Sequence, residues 1–109
     1  MLEVWENINP NYEVSNYGKV KFLGRTIVRS DGRIMNFKSK FISSYHDKKG
    51  YEYVKIDGKN FLVHRLVASA FLDKIEGKTD VNHKNCYKKD NRLENLEWCT
   101  KSENIQHAF

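Results

Sequence analysis

Four side chains in the last third of the sequence could act together on one metal ion and one water molecule. His83 follows Asn82 directly, and Asn95 and Asn104 come twelve and twenty-one residues after His83. A neutral imidazole with an ordinary pKa of ~6.5 can take a proton from water, so His83 is a candidate general base. The carbonyl oxygens of Asn82 and Asn104 suit a hard divalent cation such as Mg²⁺ or Mn²⁺. Such a set predicts phosphodiester hydrolysis, which needs an activated water and a cation.

Two more residues extend this candidate site. The amide of Asn95 could bond backbone groups of the polar connection before it and so hold His83 in orientation. His107 lies three residues past Asn104, where it could reach a phosphate or the metal from the same helix face. Each residue also has an ordinary structural interpretation, because strand histidines are mostly core or surface groups and loop asparagines mostly form turns. Their order and spacing, rather than any one residue, favour a catalytic site.

The elements around these residues form a strand, a loop, a strand and a helix. Residues 81–83 and 96–99 are apolar enough for two strands, and a polar connection joins them. Thr100 and Glu103 have the spacing of a capping box, which predicts a helix that begins near Lys101. This order predicts a ββα unit that contains Asn82, His83 and Asn104.

The first 63 residues predict short strands joined by tight turns. Alternating segments flank the turn signals at residues 16–18, 30–32 and 57–58, which indicates a small antiparallel sheet. Helical spacing of apolar residues begins at His64 and ends near Leu72. The sequence therefore predicts the α+β class, with a β-rich module at residues 1–60 and a second domain, which contains the candidate site, at residues 61–109.

Positive charge is concentrated in one part of the chain. The formal net charge is +5, yet residues 19–40 alone carry seven Lys and Arg against one Asp, a local +6. Such a block favours a polyanionic partner such as a nucleic acid. The residues that we expect to contact nucleic acid are Arg25, Arg29, Arg33, Lys38, Lys40, His64 and Arg65.

Other classes of protein are disfavoured by composition. No apolar run approaches the ~18–20 residues that cross a bilayer, and the N-terminus lacks the layout of a signal peptide. We therefore expect a cytoplasmic protein with no membrane partner. Cys86 and Cys99 form no CxxC pair and are expected to be free thiols.

Several segments together resemble the HNH endonucleases, in particular the phage- and intron-encoded homing endonucleases. The resemblance rests on residues 63–68, 81–84, 91–98 and 102–104, and residues 5 and 12–20 resemble the short module that often precedes this nuclease domain. It implies a ββα-metal (His-Me finger) core, with His83 as general base, Asn82 and Asn104 on one divalent metal, and Asn95 bracing the loop. It also implies strand nicking that leaves 5′-phosphate and 3′-hydroxyl ends. A double-strand break would need a homodimer or two successive nicks.

The resemblance has two departures. The family commonly has an Asp-Gly-Asn turn after His-Lys, whereas this chain has Asn85, Cys86 and Tyr87, so we expect a reshaped turn. Relatives often continue into a helical DNA-reading segment beyond the point where this sequence ends.

Two alternatives stay open on the sequence. His83, Cys86, Cys99 and His107 could form a structural zinc site, since zinc favours such ligands in a tetrahedral array. The basic block and Arg65 could instead serve a DNA-binding module without catalysis.

Overall fold

The computed structural model describes residues 2–103, so Asn104 and His107 lie outside the described residues. The first part of the chain contains nine strands, β1 to β9, which are Trp5–Asn9, Tyr12–Ser15, Val20–Phe22, Arg25–Val28, Ile34–Phe37, Lys40–Phe41, Ser44–His46, Glu52–Ile56 and Lys59–Leu62. Helix α1 (Val63–Phe71) follows, then β10 (Asp80–His83), a 3-10 turn (Leu93–Asn95) and β11 (Leu96–Cys99). The α+β class is confirmed.

The N-terminal strands form three antiparallel sheets, not the single sheet that the sequence predicts. Their orders are β1-β2-β3-β6, β4-β5 and β7-β8-β9, while β10 pairs with β11 alone. The separation arises at Gly24, where the chain leaves β3 with a φ of +83°. A Cβ at Gly24 would lie 2.6 Å from the carbonyl oxygen of Phe37, so glycine allows the backbones at the base of the paired strands β4 and β5 to approach closely.

Helix α1 lies at the centre of the molecule. Its buried face carries Val63, His64, Val67 and Ala68, and it contacts β1, β2 and strands β8 to β11. The remaining buried core consists of Val14, Val20, Val54, Ile56, Val81 and Leu96. Each fully buried Val or Leu contributes roughly 1.5–3 kcal/mol of transfer free energy. Because the core residues come from the N-terminal strands, from α1 and from the β10–β11 hairpin, their burial holds these parts together.

Turn chemistry at two sites agrees with the sequence. Asp57 and Gly58 have φ values of 51° and 80°, which a two-residue turn between β8 and β9 requires. Thr100 and Glu103 form the expected capping box: Glu103 N–H donates to Thr100 Oγ1 at 3.1 Å, and Thr100 N–H donates to Glu103 Oε1 at 3.0 Å. Residues 101–103 are helical.

The two-stranded β4–β5 ribbon projects from the body of the protein. Seven of its eight residues are exposed, including Val28 at 68% and Ile34 at 64%. Within residues 2–103, no helix has the length and apolar character that a membrane span needs. Strands β1 and β7 are additions to the sequence-based expectation.

Candidate active site

The β10–β11 hairpin holds the candidate residues. The register pairs Asn82 with Glu97 and His83 with Leu96, so His83 ends β10 at the mouth of the connecting loop. Asn95 ties this loop together. Its Oδ1 accepts from the backbone N–H of Asn85 at 3.0 Å, and its Nδ2 donates to Asn85 Oδ1 and to the carbonyl oxygen of Asp90, each at 2.9 Å. The loop is therefore closed around the buried Asn95 side chain.

The loop keeps a left-handed residue where the related family commonly has glycine. Cys86 has a φ of 64°, and its N–H donates to the carbonyl oxygen of His83 at 2.9 Å. On the other side of the loop, Arg92 donates hydrogen bonds to both carboxylate oxygens of Asp90, at 2.8 and 2.9 Å, and they lower the pKa of this carboxyl group to about 2.

The His83 imidazole is buried and is held from one side only. It is 5% exposed, and its Nε2 lies 2.7 Å from Asn91 Oδ1. Among residues 2–103, its Nδ1 has no hydrogen-bond partner. Burial lowers the pKa of His83 below the ordinary value, and the hydrogen bond with Asn91 opposes this effect. Burial therefore favours the neutral form of the His83 ring, which hydrogen-bonds through Nε2 to Asn91.

The side chain that holds His83 is itself held by an early strand. Asn91 Nδ2 donates to Glu52 Oε1 at 2.8 Å, across 39 residues of sequence. Glu52 Oε2 accepts in turn from Ser44 Oγ at 2.5 Å. Sequence reasoning missed Glu52 and gave Asn91 no role beside His83, because the pairing of β7 and β8 gives no local sign of a partner in a distant loop.

A second histidine lies against His83. The ring centroids of His64 and His83 are 4.8 Å apart, and His64 stacks on Tyr51 at 5.5 Å. Burial, followed by the charges of His83 and Arg65, lowers the pKa of His64 to about 3. Its Nδ1 is buried and has no partner among the described residues. The contact of His64 with the candidate base is a tertiary feature that helical spacing alone does not reveal.

Asn82 presents an oxygen that a cation could use. The side chain is 6% exposed, and its Nδ2 donates to Glu97 Oε1 at 2.9 Å. This bond turns Oδ1 away from Glu97, and within residues 2–103 Oδ1 has no partner. An amide oxygen is a ligand that a hard divalent ion accepts. The described residues contain no cluster of three or more His, Cys, Asp or Glu that could hold a metal by itself.

Asn82 and His83 are consecutive in β10, so strand alternation directs their side chains to opposite faces of the hairpin. A single phosphate could reach both only near the end of the strand. The expected convergence of Asn82, His83 and Asn104 stays a prediction, since Asn104 lies outside the described residues. The same holds for His107.

The zinc alternative conflicts with the register. Asp80 pairs with Cys99 while His83 pairs with Leu96, which separates Cys99 from His83 by three residues, or about 10 Å, along the hairpin. Ligand atoms around one zinc ion lie within about 4 Å of one another. Because Asp80 and His83 are three residues apart, Cys99 also lies on the face of the hairpin opposite to His83, so the register disfavours one ion shared by both side chains.

The predicted nucleic-acid contacts fall in two places. Arg25, Arg29, Arg33, Lys38 and Lys40 are all exposed on the β4–β5 ribbon or beside it. Arg65 instead bonds to the start of β10, since its Nη1 donates to the carbonyl oxygen of Thr79 at 3.1 Å and its Nη2 lies 3.6 Å from Asp80 Oδ1. His64 and Arg65 border an open cavity of about 470 Å³ that Lys48, Lys49 and Tyr51 also line.

Comparison with known proteins agrees with this arrangement. Residues 61–106 match the HNH endonuclease family. An uncharacterized HNH endonuclease of Acanthamoeba polyphaga mimivirus, L247, is 40% identical over 117 residues, which cover 97% of this chain and 26% of that protein. The DNA endonuclease I-HmuI of Bacillus phage SP01 is 34% identical over 91 residues, which cover 79% of this chain and 52% of that protein.

A solved structure extends the similarity to the fold. The structure of the HNH homing endonuclease I-HmuI, described as showing DNA binding and cleavage, superposes with a TM-score of 0.71 at 32% identity. The superposition covers 94% of this chain and 56% of that one, so this chain spans little more than half of its structural relative. On the sequence match and the shared fold together, the chain belongs to the HNH endonuclease family.

Proposed function

We propose that this chain carries the catalytic centre of a metal-dependent DNA endonuclease with a ββα-metal core. The observation that carries this proposal is the state of His83, whose ring is buried, bonded through Nε2 and without a partner at Nδ1 among the described residues. An imidazole held by one nitrogen and uncommitted at the other is suited to general base catalysis. The names of its relatives supply the reaction class.

The proposed reaction is hydrolysis of one phosphodiester bond. His83 removes a proton from water, the water oxygen bonds to phosphorus, and the bond from phosphorus to the 3′ oxygen breaks. The 3′ oxygen then takes a proton from solvent, which leaves 3′-hydroxyl and 5′-phosphate ends. Asn95 keeps the loop beside His83 closed, and His107 is a further candidate for contact with the phosphate.

Asn82 and Asn104 would hold one Mg²⁺ or Mn²⁺, which supplies positive charge for the pentacovalent phosphate and the leaving oxygen. Two neutral amides neutralise none of the charge of the ion, so metal binding should depend on DNA phosphate oxygens. Calorimetry of the free protein should therefore show only weak Mg²⁺ binding. A micromolar affinity without DNA would contradict this assignment of ligands.

Double-stranded DNA is the proposed partner, and the β4–β5 ribbon is its proposed docking element. A two-stranded ribbon fits the major groove of B-DNA. One face of the ribbon carries Arg25 and the paired Ile27 and Met35, while the other exposes the paired Val28 and Ile34. The arginines would contact phosphates and position the duplex, and the apolar side chains would contact base edges.

Plasmid nicking tests the proposal directly. Supercoiled plasmid with the protein and Mg²⁺ or Mn²⁺ should be converted to open circles, and His83→Ala should abolish the conversion. His46→Ala is the matched control, because His46 is exposed on β7 and outside the site. Retained DNA binding without cleavage under either metal would favour the non-catalytic module. Linear product that grows with the square of protein concentration would favour a homodimer.

The proposed cellular setting follows from this substrate. An enzyme that acts on duplex DNA and resembles phage and viral proteins would work in the cytoplasm of the host of a phage or mobile element.

A further inference from the structure

A series of hydrogen-bonded side chains runs from Glu52 in the β7-β8-β9 sheet through Asn91 to the candidate base His83. We propose that Glu52, acting through Asn91, is a positioning residue that holds His83 in its Nε2–H tautomer and makes Nδ1 the basic nitrogen. The catalytic consequence rests on the proposed nuclease function, whereas the tautomer is a property of the free protein and is testable without DNA.

Donor and acceptor chemistry determines the direction of each bond. An ionised carboxylate only accepts hydrogen bonds, so the group of Asn91 that lies 2.8 Å from Glu52 Oε1 must be its NH₂. The amide oxygen of Asn91 then faces His83 Nε2 at 2.7 Å. An amide oxygen only accepts, and therefore Nε2 must carry the proton. In the neutral ring, the lone pair is left on Nδ1.

Glu52 is held rigidly enough to impose this orientation. It lies on β8, the middle strand of the β7-β8-β9 sheet, opposite His46 in the register. Its second carboxylate oxygen accepts from Ser44 Oγ at 2.5 Å on the neighbouring strand. Both carboxylate oxygens of Glu52 therefore accept a hydrogen bond. Rotation of the carboxylate away from Asn91 would break the bonds to both Asn91 and Ser44.

Asn91 is also held from behind. Its side chain is 3% exposed, and a Cβ at Gly18 would lie 3.1 Å from the Asn91 Cβ and 3.2 Å from its carbonyl oxygen. Two residues further along, Leu93 N–H donates to the carbonyl oxygen of Asn16 at 2.7 Å. The β2–β3 turn therefore lies directly against the backbone of Asn91. The positions of both Glu52 and Asn91 depend on the N-terminal sheets.

Nitrogen-15 NMR of the histidine rings is the first test. At about pH 8, where an ordinary imidazole is neutral, His83 should show a protonated Nε2 and an unprotonated Nδ1 in the free protein. Comparison with His83→Phe assigns the signals. Glu52→Gln should add a signal from protonated Nδ1, because a neutral amide at residue 52 allows Asn91 to turn over. Asn91→Leu, which keeps bulk but no acceptor, should lose the protected Nε2 proton.

Plasmid nicking by the same variants is the second test. Loss of an outer group that orients a catalytic histidine typically costs about 10- to 100-fold, so Glu52→Gln should lower kcat by this amount with little change in KM. Glu52→Asp, which restores the charge, should recover part of the lost rate. Glu13→Gln is the matched control, because Glu13 is a partly buried carboxylate of the N-terminal sheet that pairs with Lys21.

The two tests separate the inference from the proposed function. The inference is overturned if wild-type His83 is protonated at Nδ1, or if Glu52→Gln leaves both the ring spectrum and kcat unchanged while the variant remains folded. If the tautomer responds to Glu52 and Asn91 but the wild-type protein nicks no DNA, the positioning chain stands and the nuclease proposal fails. If Glu52→Gln changes the ring signals of His83 or kcat while its circular dichroism spectrum stays like that of wild type, general unfolding is excluded as the cause.

Discussion

The imidazole rings of His64 and His83 lie 4.8 Å apart, centroid to centroid, and are tilted by 50°. His64 belongs to the first turn of α1, while His83 ends β10. The pair therefore links the central helix directly to the hairpin that carries the candidate base. Tyr51 contacts both rings, at 5.5 Å from His64 and 6.4 Å from His83.

The first prediction concerns the acid stability that His64 confers. Its pKa is lowered from 6.5 to about 3 in the folded protein, so between these values the unfolded chain binds a proton that the folded chain does not. The contribution of neutral His64 to the free energy of unfolding is fully present above the pKa of the unfolded chain. It is lost as pH falls towards 3, by at most about 1.4 kcal/mol per pH unit. His64→Phe should therefore lose less stability than wild type on acidification.

Urea unfolding at a series of pH values between about 6.5 and 4 measures this effect. His64→Phe keeps an aromatic ring against Tyr51, so its m-value should match that of wild type. His46→Gln, at an exposed position of β7, should keep the wild-type pH dependence. Parallel curves for wild type and His64→Phe would show that the buried imidazole does not control acid stability.

The second prediction concerns Gly18, which lies behind Asn91. Gly18 has a φ of +84°, and a Cβ there would lie 3.1 Å from Asn91 Cβ. Gly18→Ala should cost about 1–2 kcal/mol through backbone strain and should also displace Asn91 from His83. Unfolding measures the first effect, and the chemical shifts of the His83 ring measure the second.

Gly77 provides the control for this substitution. It has a φ of +80°, close to that of Gly18, but no atom of residues 2–103 lies within 4 Å of the Cβ position. Gly77→Ala should cost a similar free energy of unfolding and leave the His83 ring signals unchanged. Equal ring shifts in the two variants would mean that Gly18 does not act through contact with Asn91.

The third prediction concerns the strained turn after His83. Cys86 has a φ of 64°, and this left-handed conformation costs a residue with a Cβ roughly 1–2 kcal/mol. Glycine avoids this strain but loses more conformational entropy on folding, so a substitution by glycine recovers only part of the cost. Cys86→Gly should therefore raise the free energy of unfolding by about 0.5–1 kcal/mol. Thermal unfolding should show a rise of several degrees. Cys86→Ser, which keeps the Cβ, should show no such gain, and a lower melting temperature for Cys86→Gly would refute the assignment of strain.

The fourth prediction concerns DNA affinity of the ribbon. Arg29 and Arg33 pair across its tip through a backbone hydrogen bond of 2.7 Å, and both side chains are exposed. The logarithm of DNA affinity should fall linearly with the logarithm of salt concentration. If each arginine neutralises one phosphate, Arg29→Ala and Arg33→Ala should each make this slope shallower by about 1. Fluorescence anisotropy with a labelled duplex at several salt concentrations measures the slope.

Lys59→Ala is the control for charge alone. Lys59 is exposed on β9, in a different sheet, so its loss should leave the slope near the wild-type value. If all three variants reduce the slope equally, DNA binding depends on net charge rather than on the ribbon.

Local features of this protein were predictable from the sequence because short-range chemistry determines them. The residue pattern predicted β11 with the bounds that the structure has and β10 within a residue, and helical spacing predicted α1 within a residue. The Asp57-Gly58 turn and the capping box of Thr100 and Glu103 depend on contacts within four residues. Motif order was enough to indicate His83 as the base and Asn95 as the brace of its loop.

The surroundings of His83 were decided only by the tertiary structure. Glu52 and Asn91 are 39 residues apart, and His64 meets His83 only because α1 packs against β10. No periodicity or local motif records such contacts, since they depend on how separate sheets pack around one helix. The sequence by itself identified His83 as a residue that could act as a base. The hydrogen bonds from Glu52 through Asn91 and the packing of α1 against β10 set the surroundings of its ring, because these contacts join segments that are far apart in the chain.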